Sequence, residues 1–226
     1  MAKIVFEGNF ENFDINKVII TESELSGKMT TSEIKYKEGN RKKCIYFKLP
    51  SRTNPGFRER HQFGIDQKRH CDNTLRGLDI SYQLNDDSDE SIVKFVKELE
   101  DLVTDNFEKC DNFSEEETEE IQNSETLVKP LISTMKEGDK ILNLKLVTRG
   151  QGRRMKCDTK IFVRDKECRE KYLDYVQSRG ECALAVRVDG VKWGKYGESE
   201  YHAFIQLSVA QLRLILYTDI DDDVLI

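Results

Sequence analysis

The sequence predicts a mainly β protein with helices (α+β), in which a barrel-like set of about five to seven strands is interrupted by an acidic helical segment. Short β-branched and alternating apolar runs recur towards both ends of the chain, as expected of half-buried strands. A helical apolar stripe separates them, and no repeat of fixed period is apparent. We therefore expect one domain over residues 1–218, with the helical insertion at about 86–125 and an acidic tail at 219–226.

The first predicted strands form a hairpin. Lys17–Thr21 is β-branched, and the strand-like runs Glu33–Lys37 and Lys43–Leu49 flank a Gly39-Asn40 turn signal. Side chains alternate across a strand, so the apolar residues of the second run share one face. The other face of that run carries Cys44, Tyr46 and Lys48.

The middle of the chain combines a loop with helices. Ser51–Gly77 is rich in Gly, Pro, Asn and Arg and is predicted to be a long loop, of the kind that is often functional. Residues 89–107 place apolar side chains at helical spacing, opposite charged ones. Ser114 and Glu117 have capping-box spacing and predict a second, very acidic helix. We interpret the charges of both helices as a solvated face.

The last third of the chain returns to strands. Ile141–Val147 and Met155–Val163 flank a basic turn and predict a second hairpin, and Asp165–Arg179 has helical spacing. Ala183–Val188 and Tyr201–Leu207 are two further strands around a glycine-rich turn that contains Trp193. An exposed Trp193 would stack on a base, whereas a buried one would cover an end of the barrel, and the sequence leaves both open.

Several classes of protein are disfavoured. The first residues show no secretory signal and no apolar run is long enough to span a bilayer, so we expect an intracellular protein, in the host cytoplasm or nucleus if it is viral. The six cysteines are scattered and predict reduced thiols. His61, His70 and Cys71 lack a fourth ligand, so we expect no metal and no cofactor.

Catalytic motifs are also missing from the sequence, and we expect a protein that is not an enzyme. One alternative stays open. Asp139 with Asp158 and Lys160 has the residue types of a metal-dependent nuclease, in which two carboxylates and a lysine surround a phosphodiester. An ordinary charged strand explains the same residues.

The charges are sorted into blocks. Residues 41–76 contain ten Lys/Arg against three Asp/Glu, and residues 129–172 contain thirteen against six. Between them, residues 85–125 contain three Lys/Arg against sixteen Asp/Glu. Such segregation indicates a specific electrostatic face beneath a net charge of -6.

The basic blocks interleave cations with aromatic rings, which is typical of single-strand binders because phosphates attract the cations and unstacked bases rest on the rings. Duplex readers more often carry a basic recognition helix. In the structural alternative, the basic hairpin tips only make the protein soluble, and Phe57 and Phe63 anchor their loop to the core. The predicted DNA contacts are Lys35, Lys37, Tyr46, Lys48, Arg52, Phe57, Arg58, Arg60, Phe63, Arg149, Arg153, Arg154, Lys156 and Trp193.

The end of the sequence is acidic and then apolar. Aspartates that imitate a phosphate backbone would compete for a basic groove, and a terminal apolar group would dock into partner proteins. A strand end with chance aspartates is the alternative. The residues concerned are Asp219, Asp221, Asp222, Asp223, Val224, Leu225 and Ile226.

With this tail, two basic hairpins and the segment Leu184–Gly197 followed by Ala203–Val209, the chain resembles the single-stranded-DNA-binding proteins of short-tailed phages and nucleocytoplasmic large DNA viruses. The resemblance implies an OB-fold barrel with an inserted helix and an acidic C-terminal tail. Ending in isoleucine, the tail departs from the aromatic ending of the phage proteins.

The resemblance implies a sequence-independent single-stranded-DNA-binding protein for DNA replication or recombination. Its partners would be single-stranded DNA and replication proteins such as a polymerase or helicase, with self-association open and no membrane involved. The alternative from another class is a viral structural or interaction protein whose acidic block and tail bind a basic partner.

Overall fold

The fold is mainly β, with 64% of the described chain in strands and two α-helices, which confirms the predicted class. The computed structural model describes residues 3–6, 10, 12–22, 24–26, 29–53, 57–62, 74–85, 88–107, 114–122, 127–135, 138–149, 156–163, 166–168, 180–195 and 201–216. Within these ranges, no helix is both long and apolar enough to cross a membrane.

The helices are the 3₁₀ helix η1 (Ile15–Lys17), α1 (Glu90–Asp105) and α2 (Glu115–Gln122). The strands of the amino-terminal part are β1 (Lys3–Phe6), β2 (Val18–Ile20), β3 (Glu24–Ser26), β4 (Met29–Glu38), β5 (Arg41–Thr53), β6 (Phe57–Gln62) and β7 (Thr74–Leu84). The later strands are β8 (Ile132–Thr134), β9 (Lys140–Leu146), β10 (Thr148–Arg149), β11 (Lys156–Cys157), β12 (Lys160–Val163), β13 (Lys166–Cys168), β14 (Gly180–Lys195) and β15 (Tyr201–Leu216).

Most strands join one mixed sheet, in the order β1-β5-β4-β14-β15-β9-β7-β6. The described strands β1 and β6 at the ends of this order do not pair with each other, so the sheet is open. The prediction of strands with helical insertions is confirmed, whereas a closed barrel is not observed in the described strands.

The chain divides into two compact units. The first unit comprises Met1–Phe47, Asn85–Thr134 and Arg187–Leu207. The second comprises Lys48–Leu84, Met135–Val186 and Ser208–Ile226. The strands β5, β14 and β15 each contribute residues to both units, and the prediction of a single domain stays a prediction.

The core of the first unit forms where α1 packs on the sheet. The apolar stripe predicted for this helix is buried, and its Phe95 ring lies 5.2 Å from the Phe47 ring of β5 and 4.9 Å from that of Phe13. Phe6 and Tyr36 meet edge to face at 5.4 Å within the same cluster. Both helices of the predicted acidic insertion are present, and α1 adds an apolar cover to one face of the sheet.

The predicted β4–β5 hairpin is confirmed. Tyr36 lies opposite Lys43 and Glu38 opposite Arg41, so the connection is the two-residue turn Gly39-Asn40. Gly39 adopts φ 58°, a left-handed conformation that costs glycine little because it has no Cβ. The turn sets the register of the hairpin and therefore which side chains share a face.

The second unit contains antiparallel pairs β6–β7 and β7–β9, with β9 running parallel to β15. Its buried rows are Leu78, Ile80 and Tyr82 on β7, with Leu142 and Leu144 on β9. The Tyr82 hydroxyl donates a hydrogen bond to the Pro50 carbonyl at 2.9 Å. Alternating apolar residues therefore build this core, as strand periodicity requires.

Three local predictions need correction. The loop expected over Ser51–Gly77 contains the end of β5, all of β6 and the start of β7, because pairing with β7 orders a polar sequence that propensity left unassigned. The returning strand β12 pairs in parallel with β15, whereas β10 and β11 form a short antiparallel pair. Of the helix expected at Asp165–Arg179, residues 166–168 are strand β13 and the others lie outside the described ranges.

Candidate nucleic-acid interface

A polar sheet face in the first unit gathers several of the predicted contacts around Tyr46. Cross-strand contact places Lys35 of β4 beside Cys44 of β5, and register places Val5 of β1 opposite Tyr46. We name this surface the Tyr46 face. It comprises Lys3, Val5, Glu33, Lys35, Lys37, Lys42, Cys44, Tyr46, Arg187 and Asp189.

The alternation of β5 explains why these side chains share a face. Ile45, Phe47 and Leu49 are buried, and the Phe47 ring contacts Phe95 of the helix side. Successive side chains point to opposite faces, so the intervening residues must lie away from α1. Burial of the apolar set thus fixes the position of Tyr46.

Tyr46 is half-buried, and its hydroxyl is held by a neighbouring strand. Arg187 of β14 hydrogen-bonds to Tyr46 and forms an ion pair with Asp189. Burial lowers the pKa of Arg187, but the hydrogen bonds to Asp189 and Tyr46 outweigh it and leave this pKa raised. A ring that is fixed by its hydroxyl and partly exposed has the properties of a stacking platform.

Lys35 does not fit its predicted role. Its side chain is only 9% exposed, and its Nζ lies 3.1 Å from Glu33 Oε1 and 3.2 Å from Cys44 Sγ. Desolvation lowers the pKa of Lys35, but the hydrogen bonds to Glu33 and Cys44 outweigh it, so the pKa is raised. We therefore correct the assignment: Lys35 is a buried structural ammonium, and its Nζ is not available to a phosphate.

Exposed lysines lie on the same face instead. Lys37 and Lys42 lie directly opposite each other near the β4–β5 turn, and Lys3 lies opposite Cys44, one alternation from Tyr46. All three are exposed. Four residues along β5 separate Lys42 from Tyr46, which is about 13 Å at roughly 3.3 Å per residue. The cations of the face outnumber its carboxylates by five to two, so it favours an anionic chain.

Trp193 also needs correction as a stacking residue. The glycine-rich segment expected as a turn is strand as far as Lys195, and Trp193 is 0% exposed within it. Its indole nitrogen donates a hydrogen bond to Ser32 Oγ at 3.3 Å. Trp193 is a core residue of the first unit, so the packing alternative holds and we remove the ring from the interface.

The other predicted contacts belong to the second unit or lie outside the described residues. Lys48 is exposed and Arg52 is half-buried on β5. Phe57, Arg58 and Arg60 lie in β6, and Arg149 pairs with Lys156 between β10 and β11. The remaining predicted residues fall outside the described ranges: Phe63, Arg153, Arg154, Asp219, Asp221, Asp222, Asp223, Val224, Leu225 and Ile226. Those contacts stay predictions.

The members of the Tyr46 face that the sequence does not predict include Lys3, Val5, Lys42 and Arg187. Lys42 lies two residues before Cys44 in the same strand, so strand alternation alone would have placed it on the face of Cys44 and Tyr46. Lys3, Val5 and Arg187 reach the face only through pairing between strands distant in sequence. No local pattern indicates such pairing.

The carboxylates of the nuclease alternative are not brought together. Asp139 precedes β9, whereas the backbone NH of Asp158 bonds to the Val147 carbonyl beyond the other end of that strand. Seven residues of strand separate the two positions, about 23 Å. In the described part of the chain, no three His, Cys, Asp or Glu residues are grouped as metal ligands.

Comparison of the chain with protein-family models gives no match, and comparison with curated proteins gives none either.

Proposed function

We propose that the protein binds single-stranded DNA without sequence preference and supports DNA replication or recombination. The observation that carries the proposal is the partly exposed Tyr46 ring, which is fixed by Arg187 and shares a face with exposed Lys3, Lys37 and Lys42. This arrangement supplies a flat surface for a base and cations for the flanking phosphates. Neither group reads base edges, so binding would be independent of sequence.

The magnitudes are sufficient for binding. One base stacked on an aromatic ring contributes about 1–3 kcal/mol, and each neutralised phosphate of a single strand adds a salt-dependent term. Three exposed lysines would give a slope of log affinity against log salt of about -2, at roughly 0.7 per contact. Additional phosphate contacts from Lys48, Arg52, Arg58, Arg60, Arg149, Arg153, Arg154 and Lys156 would steepen it, whereas stacking on Phe57 and Phe63 would add affinity without changing the slope.

The resemblance to viral and phage single-stranded-DNA-binding proteins supports the same proposal. In it, the strands would belong to an OB-like barrel, and residues 219–226 would compete with DNA for the basic surface and dock replication partners. Deleting residues 219–226 would then tighten DNA binding. Unchanged affinity after the deletion would remove the competing role of the tail but leave the Tyr46 face untouched.

Salt-dependent binding of a labelled oligo-dT tests the proposal. We expect binding at low salt, a negative slope with salt, and weaker binding to a duplex of the same length because paired bases cannot stack on Tyr46. Absence of oligo-dT binding at low salt would overturn the proposal. Cleavage of the oligonucleotide on addition of Mg²⁺ would instead favour the nuclease.

A second candidate is an interaction protein that binds a basic partner. The observation in its favour is the acidic exposed side of the helices, which carries Glu90, Asp101, Asp105, Glu115 and Glu116. This surface attracts cations and repels DNA. Binding of a basic peptide, abolished by neutralising these five residues, combined with no binding of oligo-dT, would favour this candidate.

A further inference from the structure

We propose that a cavity beside the Tyr46 face binds one nucleobase together with its phosphate. That this nucleotide belongs to single-stranded DNA rests on the proposed function. The cavity has a volume of about 560 Å³, within the range of small-molecule sites and sufficient for a nucleotide. It is lined by β1, by the end of β4 with its turn, and by Lys17 of η1. All of these elements belong to the first unit.

Aromatic rings form the apolar part of the cavity. Phe6, Phe10 and Tyr36 line it, and Phe6 and Tyr36 are buried edge to face against each other at 5.4 Å. Phe10 is half-buried and therefore offers part of its ring to an incoming group. A flat heteroaromatic ring gains more from such a lining than an aliphatic chain, because rings stack or meet edge to face.

The backbone of Phe10 gives an independent indication of function. Phe10 adopts φ 52°, a left-handed conformation that costs a residue with a side chain about 1–2 kcal/mol. Packing holds it there, since the Phe10 ring stacks on Phe95 with centroids 4.2 Å apart and planes at 16°. Strained positions that packing enforces concentrate at ligand sites. The one described non-glycine residue with a positive φ is therefore also a lining residue of the cavity.

The rim of the cavity favours an anion. Lys17 and Lys37 line it, and Lys43 pairs with Glu38 beside the turn. Asp14 lies 3.5 Å from Lys17. Of the three charged residues that line the cavity, two are lysines and one is Glu38, and Lys37 has no ion-pair partner within the described residues. An aromatic ligand bearing a phosphate matches this rim better than a neutral one, because a charge-assisted hydrogen bond is stronger than a neutral one.

The cavity and the Tyr46 face share two residues. Val5 and Lys37 line the cavity and also belong to that face, and Val5 lies opposite Tyr46 in register. The Val5 side chain is 44% exposed, which leaves an apolar surface between ring and cavity. The rings of Phe6 and Tyr36 point to the α1 side of the sheet and Tyr46 points away from it, so a strand stacked on Tyr46 would reach the cavity over β1, which ends the described strand order. A free nucleotide has the same chemistry and is the other source of the ligand.

Calorimetric titration of the full chain with thymidine 5′-monophosphate, thymidine and oligo-dT tests the inference. Two cavity variants avoid the Tyr46 face: Lys17→Glu reverses a rim charge, and Asn12→Trp narrows the opening with a bulky ring at an exposed lining residue. Lys94→Glu is the matched control, because Lys94 is a well-exposed lysine of α1 outside the cavity. Thermal melts confirm that each variant folds.

We expect Lys17→Glu to weaken monophosphate binding about tenfold or more while thymidine binding changes less than about twofold, since only the monophosphate contacts the rim charge. Asn12→Trp should weaken the binding of both the monophosphate and thymidine, whereas Lys94→Glu should leave the binding of both unchanged. Monophosphate binding that is absent, or insensitive to both cavity variants, overturns the inference. In that case oligo-dT binding that persists leaves the proposed function standing. Monophosphate binding that responds to the variants without any oligo-dT binding supports the cavity and overturns the proposed function.

Discussion

The indole nitrogen of Trp193 donates a hydrogen bond to Ser32 Oγ at 3.3 Å, although the two residues are 161 positions apart in the sequence. Both side chains are buried, and they lie on the paired strands β14 and β4. The contact joins β14 to β4 inside the core of the first unit. The environment of Trp193 is therefore a measure of core integrity.

Trp193 is the sole tryptophan, so its fluorescence isolates this site. We expect blue-shifted emission, weak quenching by acrylamide, and no change on addition of oligo-dT, because the ring is fully buried. Trp193→Ala should cost roughly 3–5 kcal/mol in the free energy of unfolding, as for other buried aromatic residues. Strong quenching by oligo-dT would restore Trp193 as a stacking residue.

Gly190 approaches the same strand too closely for a side chain. A Cβ at this position would lie 2.1 Å from the Ser32 carbonyl oxygen. We expect Gly190→Ala to destabilise by roughly 2–4 kcal/mol in urea unfolding, because the backbones of β14 and β4 must separate. Gly39→Ala is the comparison. At φ 58° an alanine is strained by about 1–2 kcal/mol, but its Cβ would have no atom within 4 Å. Equal losses in the two variants would refute the close approach as the cause.

The contrast between Tyr46 and Trp193 shows how far the sequence predicts this structure. The polar face of β5 follows from alternation within one strand, and the buried stripe of α1 from helical period, because both are local. The sequence predicts a turn at Trp193, because glycines normally interrupt strands. Instead, Gly190 permits close approach of β4, a long-range pairing that local pattern does not contain. The same reason explains why Arg187 was not anticipated beside Tyr46.

The Lys35 ion pair predicts a loss of stability at alkaline pH. The folded pKa of Lys35 lies above its usual value of 10.5, so its contribution is complete below that pH and is lost as pH rises through the folded pKa. Wild-type protein should therefore lose stability above about pH 10.5 more steeply than Lys35→Met. Urea unfolding midpoints of both proteins, measured from pH 7 upwards, give the difference in stability. The other lysines and the tyrosines are present in both proteins, so their titration cancels. Parallel curves for the two proteins would exclude this contribution.

The buried carboxyl group of Glu100 predicts a change in stability at acidic pH, opposite in sign to that of a carboxylate stabilised by an ion pair. Its Oε1 accepts a hydrogen bond from the Leu131 backbone at 2.7 Å. Burial raises the pKa of Glu100, Asp101 adds to the effect, and the hydrogen bond opposes it. A raised folded pKa means that stability is greatest below the unfolded value near 4.5 and declines as pH rises through the folded one.

Glu100→Gln keeps an oxygen acceptor without the charge, so it should be more stable than wild type at pH 7. The advantage should disappear below about pH 4.5, where Glu100 is protonated in both states. Thermal melts across this range test it, with Glu98→Gln on the same helix as the control. A lower melting temperature for Glu100→Gln at pH 7 would contradict the assigned cause, desolvation of the carboxylate.

The two components of the Tyr46 face can be separated by their salt dependence. Tyr46→Ala should weaken oligo-dT binding about 5- to 150-fold, equivalent to the 1–3 kcal/mol of one stacked base, and leave the salt slope unchanged. Lys37→Ala should instead reduce the slope by about 0.7, because one phosphate contact is lost. Tyr46→Phe retains the ring and should lose less than about threefold.

Arg187 touches the hydroxyl of Tyr46 and is a positioning residue in this scheme. Arg187→Lys should therefore weaken binding in the wild-type background but have a smaller effect when Tyr46 is already alanine. Additive effects of the two substitutions would mean that Arg187 contacts the phosphates directly. No effect of Tyr46→Ala, in a variant that melts like wild type, would place the stacking surface elsewhere, because removing the ring leaves no other described aromatic side chain on this face.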